Sequence, residues 1–249
     1  MRKPILAVLA GMMLVLATLA CSITIPYGGG SSMIRGSGSM VSEERSVSGV
    51  HGVELAMNGT LNIRLGDSEA LTIEAEDNLL QYIETSVRGG TLLIKTRSGT
   101  NVKSTRSINF VLTVSDLNSV SVSSSGDIIA SALEDDRCDI EISSSGSISL
   151  ESVDCTTLST RISSSGQVSI AGGSAERQEI RISSSGDYLA PQVVSSDADI
   201  TISSSGSATV NVLENITGSI SSSGDIYYFG DPQVNVRTSS SGTVQRMGY

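Results

Sequence analysis

Histidine occurs once in 249 residues, tryptophan not at all, and the aromatic side chains stop at six tyrosines and two phenylalanines. These scarcities exclude whole classes of chemistry. A serine nucleophile needs an adjacent base, and the one histidine, His51, belongs to a loop distant from the serine-rich part of the chain. No Cys-x-x-Cys occurs either, so neither a locally spaced zinc site nor a thioredoxin-like motif can be assembled. His51 is read as a solvated loop residue, and no cofactor is expected. Positive charge is also short: 16 Lys and Arg stand against 26 Asp and Glu, a formal charge of −10. Phosphate neutralisation dominates affinity for nucleic acid, and an acidic chain without a basic run excludes it as a partner. Nor does any stretch repeat its apolar residues at a period of 3.6 over the length of a helix. Strands and turns remain.

Long apolar runs are missing except at the start, where Arg2 and Lys3 precede an uncharged stretch over residues 5–20. A membrane span needs about 20 apolar residues; this run is shorter and ends on small residues, so residues 1–20 read as a cleaved export signal. Thr18-Leu19-Ala20-Cys21 resembles a bacterial lipoprotein processing site, in which the cysteine becomes the lipidated N-terminus, although Thr18 stands where that pattern prefers an aliphatic residue. The alternative is ordinary secretory cleavage that leaves Cys21 as a free thiol. Both readings export the protein, and the first holds it by lipid on the outer side of the cytoplasmic membrane or on the outer membrane. Loss of Arg2 and Lys3 leaves 14 cationic residues against 26 carboxylates, a charge of −12. Residues 21–43 are rich in Gly and Ser, including Gly28-Gly29-Gly30 and Gly36-Ser37-Gly38-Ser39. Such a composition buries too little apolar surface to offset its ordering entropy, and a flexible tether is expected.

What the chain has in abundance is Ser-Ser-Ser-Gly. The glycines of the seven units are Gly126, Gly146, Gly166, Gly186, Gly206, Gly224 and Gly242, at intervals of 20 and, in the last two, 18. A fixed period near 20 marks a solenoid. Four residues before each glycine stand Val122, Ile142, Ile162, Ile182, Ile202, Ile220 and Thr238, and two after it Ile128, Ile148, Val168, Tyr188, Ala208, Ile226 and Val244. The position five before each glycine is polar throughout: Ser121, Glu141, Arg161, Arg181, Thr201, Ser219 and Arg237. Alternation of period two on β-branched residues describes strands with one buried face. Residues 119–249 are therefore expected to form a parallel β-helix of seven coils, each with about three short strands. Coils would stack at about 4.8 Å. The motif is read as a corner, where only small side chains fit, glycine supplies unusual dihedrals and serine hydroxyls bond groups freed by the turn.

Residues 44–118 read as a β-rich cap over the open end of the solenoid, protecting it from edge pairing. Asn58-Gly59 and Gly89-Gly90 are both read as hairpin turns between strands, and residues 77–83 as one helical turn or a bend.

Few residues suggest chemistry. The position after each corner glycine reads Asp127, Ser147, Gln167, Asp187, Ser207, Asp225 and Thr243, with no aspartates on adjacent coils. Stacked like charges are destabilising, and a calcium-binding roll would need acids in every turn, so this column is structural. Outward-facing Glu141, Arg161 and Arg181 would stack on adjacent coils, giving a solvated Glu141–Arg161 ion pair, with Arg161 over Arg181 either a plain like-charge contact of the surface or an anion-recognition patch. Tyr227-Tyr228-Phe229 is the single aromatic cluster of the repeats, with Tyr228 expected inward and Tyr227 and Phe229 outward, either as packing of the terminal coil or as a binding platform. Cys138 and Cys155 are three positions out of register on neighbouring coils; a disulfide is permissible if the loops close that gap, and two free thiols are the alternative.

The repeated unit, the pattern Val47-Ser48-Gly49-Val50-His51-Gly52-Val53, and Asn78-Leu79-Leu80 followed by Gly89-Gly90-Thr91-Leu92 resemble the head GIN domain family of exported, adhesin-labelled proteins. The resemblance covers about residues 44–246; Ser-Ser-Ser-Gly replaces the family's Ser-Gly-Ser-Gly. It implies an all-β, single-stranded, right-handed parallel β-helix on an exported protein, and little about activity, since fold does not dictate function. Seven coils leave no segment expected to form an outer-membrane barrel. The function expected is non-enzymatic: an envelope lipoprotein presenting a β-helical surface to glycan or protein. A polysaccharide-active enzyme and an inert spacer are the alternatives.

Overall fold

Each turn of the repeat is a triangle drawn by three paired runs. In the turn that begins after Gly126, residues 127–130, 132–135 and 137–142 each pair in parallel with the residues twenty further on. We call these sides 1, 2 and 3; the Ser-Ser-Ser-Gly corner joins side 3 to the next side 1. The computed structural model describes residues 33–248. The expected signal, Cys21 and residues 22–32 of the tether lie outside the described residues. Seven corner motifs bound about six complete turns, and the fold is an all-β parallel solenoid.

The corner glycines answer to close packing and not to backbone freedom. None of the seven has a positive φ, which corrects the expectation of unusual dihedrals. A Cβ on Gly146 would stand 2.2 Å from the Gly126 carbonyl oxygen, and one on Gly166 would stand 2.4 Å from Ile142 Cγ2. The coil below leaves no room. Corner main-chain groups are satisfied by main chain: the Ser163 N–H donates to the Ile142 carbonyl at 2.8 Å, and the Gln167 N–H to that of Gly146 at 3.2 Å. Serine hydroxyls are thus not needed for pairing, contrary to expectation. Those with partners are at the ends of the row: Ser123 on Glu54, Ser124 on Asn58, and Ser239 on the Ile220 carbonyl. The aspartates after the glycine are used differently, Asp127 and Asp187 each accepting the hydroxyl of the next coil, Ser147 and Ser207, at 2.6 Å. That interleaving explains why acids and hydroxyls alternate in the column.

The inward columns form the core. Ile142, Ile162, Ile182, Ile202 and Ile220 are no more than 1 % exposed, and burying such a side chain stabilises by about 1.5–3 kcal/mol. Tyr188 enters the same core as a polar exception. Its hydroxyl donates to Gln178 Oε1 at 2.7 Å, and Gln178 Nε2 donates to Ser195 Oγ at 2.9 Å. Buried polar groups need such partners, and burial pushes the Tyr188 phenol well above its ordinary range.

Ahead of the regular repeats, the strands are β1 (Met33–Arg35), β2 (Met40–Arg45), β3 (Gly52–Ala56), β4 (Thr60–Leu65), β5 (Ala70–Glu76), β6 (Ile83–Arg88), β7 (Thr91–Thr96), β8 (Asn101–Lys103) and β9 (Asn109–Val114). They continue the stack instead of forming a lid apart from it. β3 pairs in parallel with residues 119–122 on one side and β7 on the other, and β4 likewise with residues 127–130 and β9. Residues 52–65 are thus a coil, and Asn58-Gly59 is its corner. The hairpin expected there is corrected: β3 and β4 each pair with other coils, and a Cβ on Gly59 would lie 2.9 Å from the Ile108 carbonyl of the turn stacked against it. Gly89-Gly90, both at positive φ, do form a hairpin between antiparallel β6 and β7. The stack then ends on antiparallel strands, β5 on β9 and β2 on β5.

The expected tether is shorter than residues 21–43, because β1 pairs with β8 and β2 with β5. A buried carboxylate fixes this strap. Glu76 accepts the N–H of Gly38 at 2.7 Å, the N–H of Thr105 at 2.9 Å and the Thr105 hydroxyl. Any Cβ on Gly36 would collide with that carboxylate. The Thr105 hydroxyl, more than the main-chain donors, holds the Glu76 carboxyl below the ordinary carboxylate range.

Candidate functional site

The ladder register brings Glu141, Arg161 and Arg181 side by side on side 3 of three successive coils. All three are exposed. The expected Glu141–Arg161 ion pair is corrected: among the described residues neither Arg161 nor Arg181 has a carboxylate oxygen within 4 Å. Arg161 Nη1 instead donates to Ser159 Oγ at 3.4 Å on its own coil. The ion pairs run two to four residues earlier on that side, from Arg137 to Asp139 at 3.2 Å and to Glu179 at 3.9 Å, and from Arg177 to Glu179 and Asp199 at 3.6 Å. Ser159, small and buried between the rows, lets Arg137 reach past its own neighbour to Glu179. Two exposed arginines thus stand in adjacent register without a carboxylate partner, a like-charge arrangement that an anion between them would relieve.

Tyr227 and Phe229 lie elsewhere, on side 1 three coils further along, in register with Thr209 and Asn211. Tyr227, Tyr228 and Phe229 are all half-buried, and Tyr228 packs against the core. The open aromatic platform expected from alternation is therefore not formed, since neither Tyr227 nor Phe229 is fully exposed. The structure does not bring the arginines and aromatics into one site.

Cys138 and Cys155 are joined by a disulfide, with Cα atoms 6.1 Å apart. Both are buried, and the bridge runs inside the triangle between sides 2 and 3 of neighbouring coils.

Two features escaped the sequence reading. Along the edge between sides 2 and 3 runs an open groove of about 570 Å³, lined by Asp135, Asp136, Asp154 and Glu176 and flanked by Val194 and Leu213. Glu134 and Asp154 are direct neighbours there, a like-charge pair that alignment of this second edge into columns would have shown. Among the described residues no group of three His, Cys, Asp or Glu side chains could hold a metal ion. The other is His51, which is not merely solvated: its Nδ1 is 2.6 Å from Asp116 Oδ1. That hydrogen bond and the Asp116 charge raise the imidazole pKa. Sequence offered no signal for a partner 65 residues away.

A parallel solenoid closed at its N-terminal end by antiparallel strands, and carrying side chains in ladders, is the class defined by these observations. The chain belongs to the family described as "Putative auto-transporter adhesin, head GIN domain", which matches residues 50–232. Its fold recurs in a "putative adhesin" from Bacteroides fragilis, with a TM-score of 0.79, 21 % identity, and coverage of 86 % of this chain and 100 % of that one. A "putative adhesin" from Parabacteroides distasonis superposes with a TM-score of 0.70 at 18 % identity over 86 % of this chain and all of its own. A "putative lipid binding protein" from the same species gives 0.71 at 23 % identity over 87 % and 100 %. No curated protein matches the sequence.

Proposed function

We propose that this protein is a non-enzymatic, lipid-anchored envelope module of adhesin type, whose solenoid face binds an anionic glycan or an acidic protein surface. One observation carries the reading: Arg161 and Arg181, adjacent in the ladder, are both exposed and lack a carboxylate partner. A repeating anion could bridge them at the coil spacing of about 4.8 Å. Membership of an adhesin-labelled family supports the same reading, and an N-terminal lipid on Cys21 would hold the module at the membrane surface.

The test is binding of the chain from residue 22 onward to an array of host and bacterial glycans and to isolated cell-wall material. Saturable binding that weakens by about a hundredfold or more in Arg161→Ala/Arg181→Ala is expected, each charged hydrogen bond being worth about 1.5–3 kcal/mol. Tyr227→Ala/Phe229→Ala then tests the half-buried aromatics as a secondary contact. Binding unaffected by loss of both arginines removes the site, and turnover of any glycan replaces the reading with an enzymatic one.

A further inference from the structure

The two ends of the stack are finished differently. At the N-terminal end β6, six residues long, lies antiparallel on β7, and Arg45 reaches over its outer edge to donate to the Ile83 carbonyl at 2.8 Å, the Leu80 carbonyl and the Thr85 hydroxyl. That edge is blunted. Beyond residue 119 the stack comprises β10 (Ser119–Val122), β11 (Asp127–Ile142), β12 (Ser147–Ile162), β13 (Gln167–Ile170), β14 (Gly173–Ile182), β15 (Asp187–Ile202), β16 (Ser207–Ile220), β17 (Asp225–Phe229), β18 (Gln233–Thr238) and β19 (Thr243–Arg246). β18 pairs with β16 on one edge, and no strand among the described residues meets the other. Val234 is 40 % exposed, and the inward residues Val236 and Val244 are only half-buried. In earlier coils the carbonyls of Ile220 and Gly224 receive the N–H groups of Ser239 and Thr243; Thr238 and Gly242 present the same acceptors outward. An exposed strand edge templates pairing with another chain.

We propose that β18 pairs antiparallel with β18 of a second copy, making a twofold dimer joined at the C-terminal ends of the two stacks. The occupant is argued from three observations. The molecule already ends this side of its ladder with an antiparallel strand of six residues at the other end, and β18 has six residues. Charge favours a copy at this end alone: residues 119–224 hold 14 carboxylates and four arginines, whereas residues 225–248 hold Asp225 and Asp231 against Arg237 and Arg246. Like copies repel along the body and meet without net charge at the tip. Centred on Asn235, the pairing also sets Arg237 opposite Gln233 and Val234 opposite Val236, so no like charges face each other. A head-to-tail chain of copies is disfavoured because Arg45 already occupies the Ile83 carbonyl and the Thr85 hydroxyl at the start of the β6 edge. The twofold arrangement is closed, with the same patch contributed by both copies.

The test is disulfide trapping in intact cells expressing the full chain. Asn235→Cys places two thiols on directly opposed positions of the dimer, where Cβ atoms are about 4.5–5.5 Å apart, while Ser86→Cys marks the blunted end. Expected are a disulfide-linked dimer for Asn235→Cys and monomer for Ser86→Cys. Adding Val234→Lys, a charged edge residue on an already exposed position, should lower the dimer fraction about tenfold. Monomer for Asn235→Cys, equal trapping at both ends, or longer ladders when both cysteines are combined each overturn the twofold pairing. Should Asn235→Cys fail to fold, co-expressed Gln233→Cys and Arg237→Cys chains test the same register, with a mixed dimer expected and its absence overturning it.

Discussion

Residues 33–118 and residues 119–248 build one continuous ladder by different means, and the difference shows what repetition contributes. In the later part each coil sees nearly the same neighbour above and below, so one solution, a small corner and three short strands, serves every turn. In the earlier part each strand has its own device: a buried carboxylate under the strap, a two-glycine hairpin, antiparallel closing strands. Charge follows the same division, with eight cations against ten carboxylates in residues 33–118 and six against sixteen in residues 119–249. Periodicity makes the solenoid tolerant of exposed surface variation and intolerant of change in its columns; individuality makes the N-terminal part depend on single side chains.

The largest effect expected is in a column. Ile182 is 1 % exposed, and Ile182→Asp buries an unpaired charge, which should cost at least about 4 kcal/mol and abolish cooperative melting. A stable variant with unchanged melting would separate the column from the stability of the stack. Next, Cys138→Ser with Cys155→Ser opens a loop of 17 residues and should cost about 3 kcal/mol in chemical denaturation.

Glycine substitutions sharpen the contrast between the regions. Gly166→Ala forces a Cβ against Ile142 and the Gly146 carbonyl, for an expected loss of about 1–3 kcal/mol by overpacking. Gly99→Ala meets no neighbour and is opposed only by its φ of +77°, so about 1 kcal/mol is expected. Equal losses would mean that the solenoid corner relaxes as freely as a surface turn.

In the N-terminal part, Glu76→Gln should release the strap to trypsin at Arg35 and Arg45 while the solenoid resists digestion. Because the folded Glu76 pKa is depressed below 4.5, its contribution is present above that value and is lost as pH falls through the folded pKa. Opening of the strap in the unmodified protein should therefore increase as pH falls through the folded pKa, monitored by amide hydrogen exchange read by mass spectrometry. The smallest effect belongs to His51, whose raised pKa means that its pair with Asp116 contributes fully below 6.5 and fades as pH rises through the folded value. NMR titration should show the imidazole pKa above 6.5, returning toward it in Asp116→Asn, with little change in melting.

The solenoid was legible because a period shared by seven corners turns long-range pairing into local text: Ile142, Ile162 and Ile182 align by counting alone. The register of Arg161 beside Arg181 followed from the same count. Side-chain partners did not, since Arg161 turns along its own coil to Ser159 and Arg137 reaches across two coils to Glu179. Asn58-Gly59 misled for a related reason, because a corner and a hairpin use the same small residues and only the strand stacked alongside distinguishes them. The strap was hidden because Gly36-Ser37-Gly38-Ser39 has the composition of a flexible segment, while the bonds that Gly38 and Thr105 donate to Glu76, 38 and 29 residues away from it, are invisible to composition.

The order of the first turns bears on how the chain acquires its structure during export. Val53 pairs with Leu92 on one side and Val120 on the other, so the coil at residues 52–65 is sandwiched between segments that emerge later. This coil cannot be completed until residue 130 is available to pair with Ile63. From there each new coil needs only the one before it, and assembly passes from distant closure to nearest-neighbour addition, the fast regime for contact formation. Residues 52–130 thus hold the closures of longest reach, whereas each coil behind them pairs with its nearest neighbours in the chain.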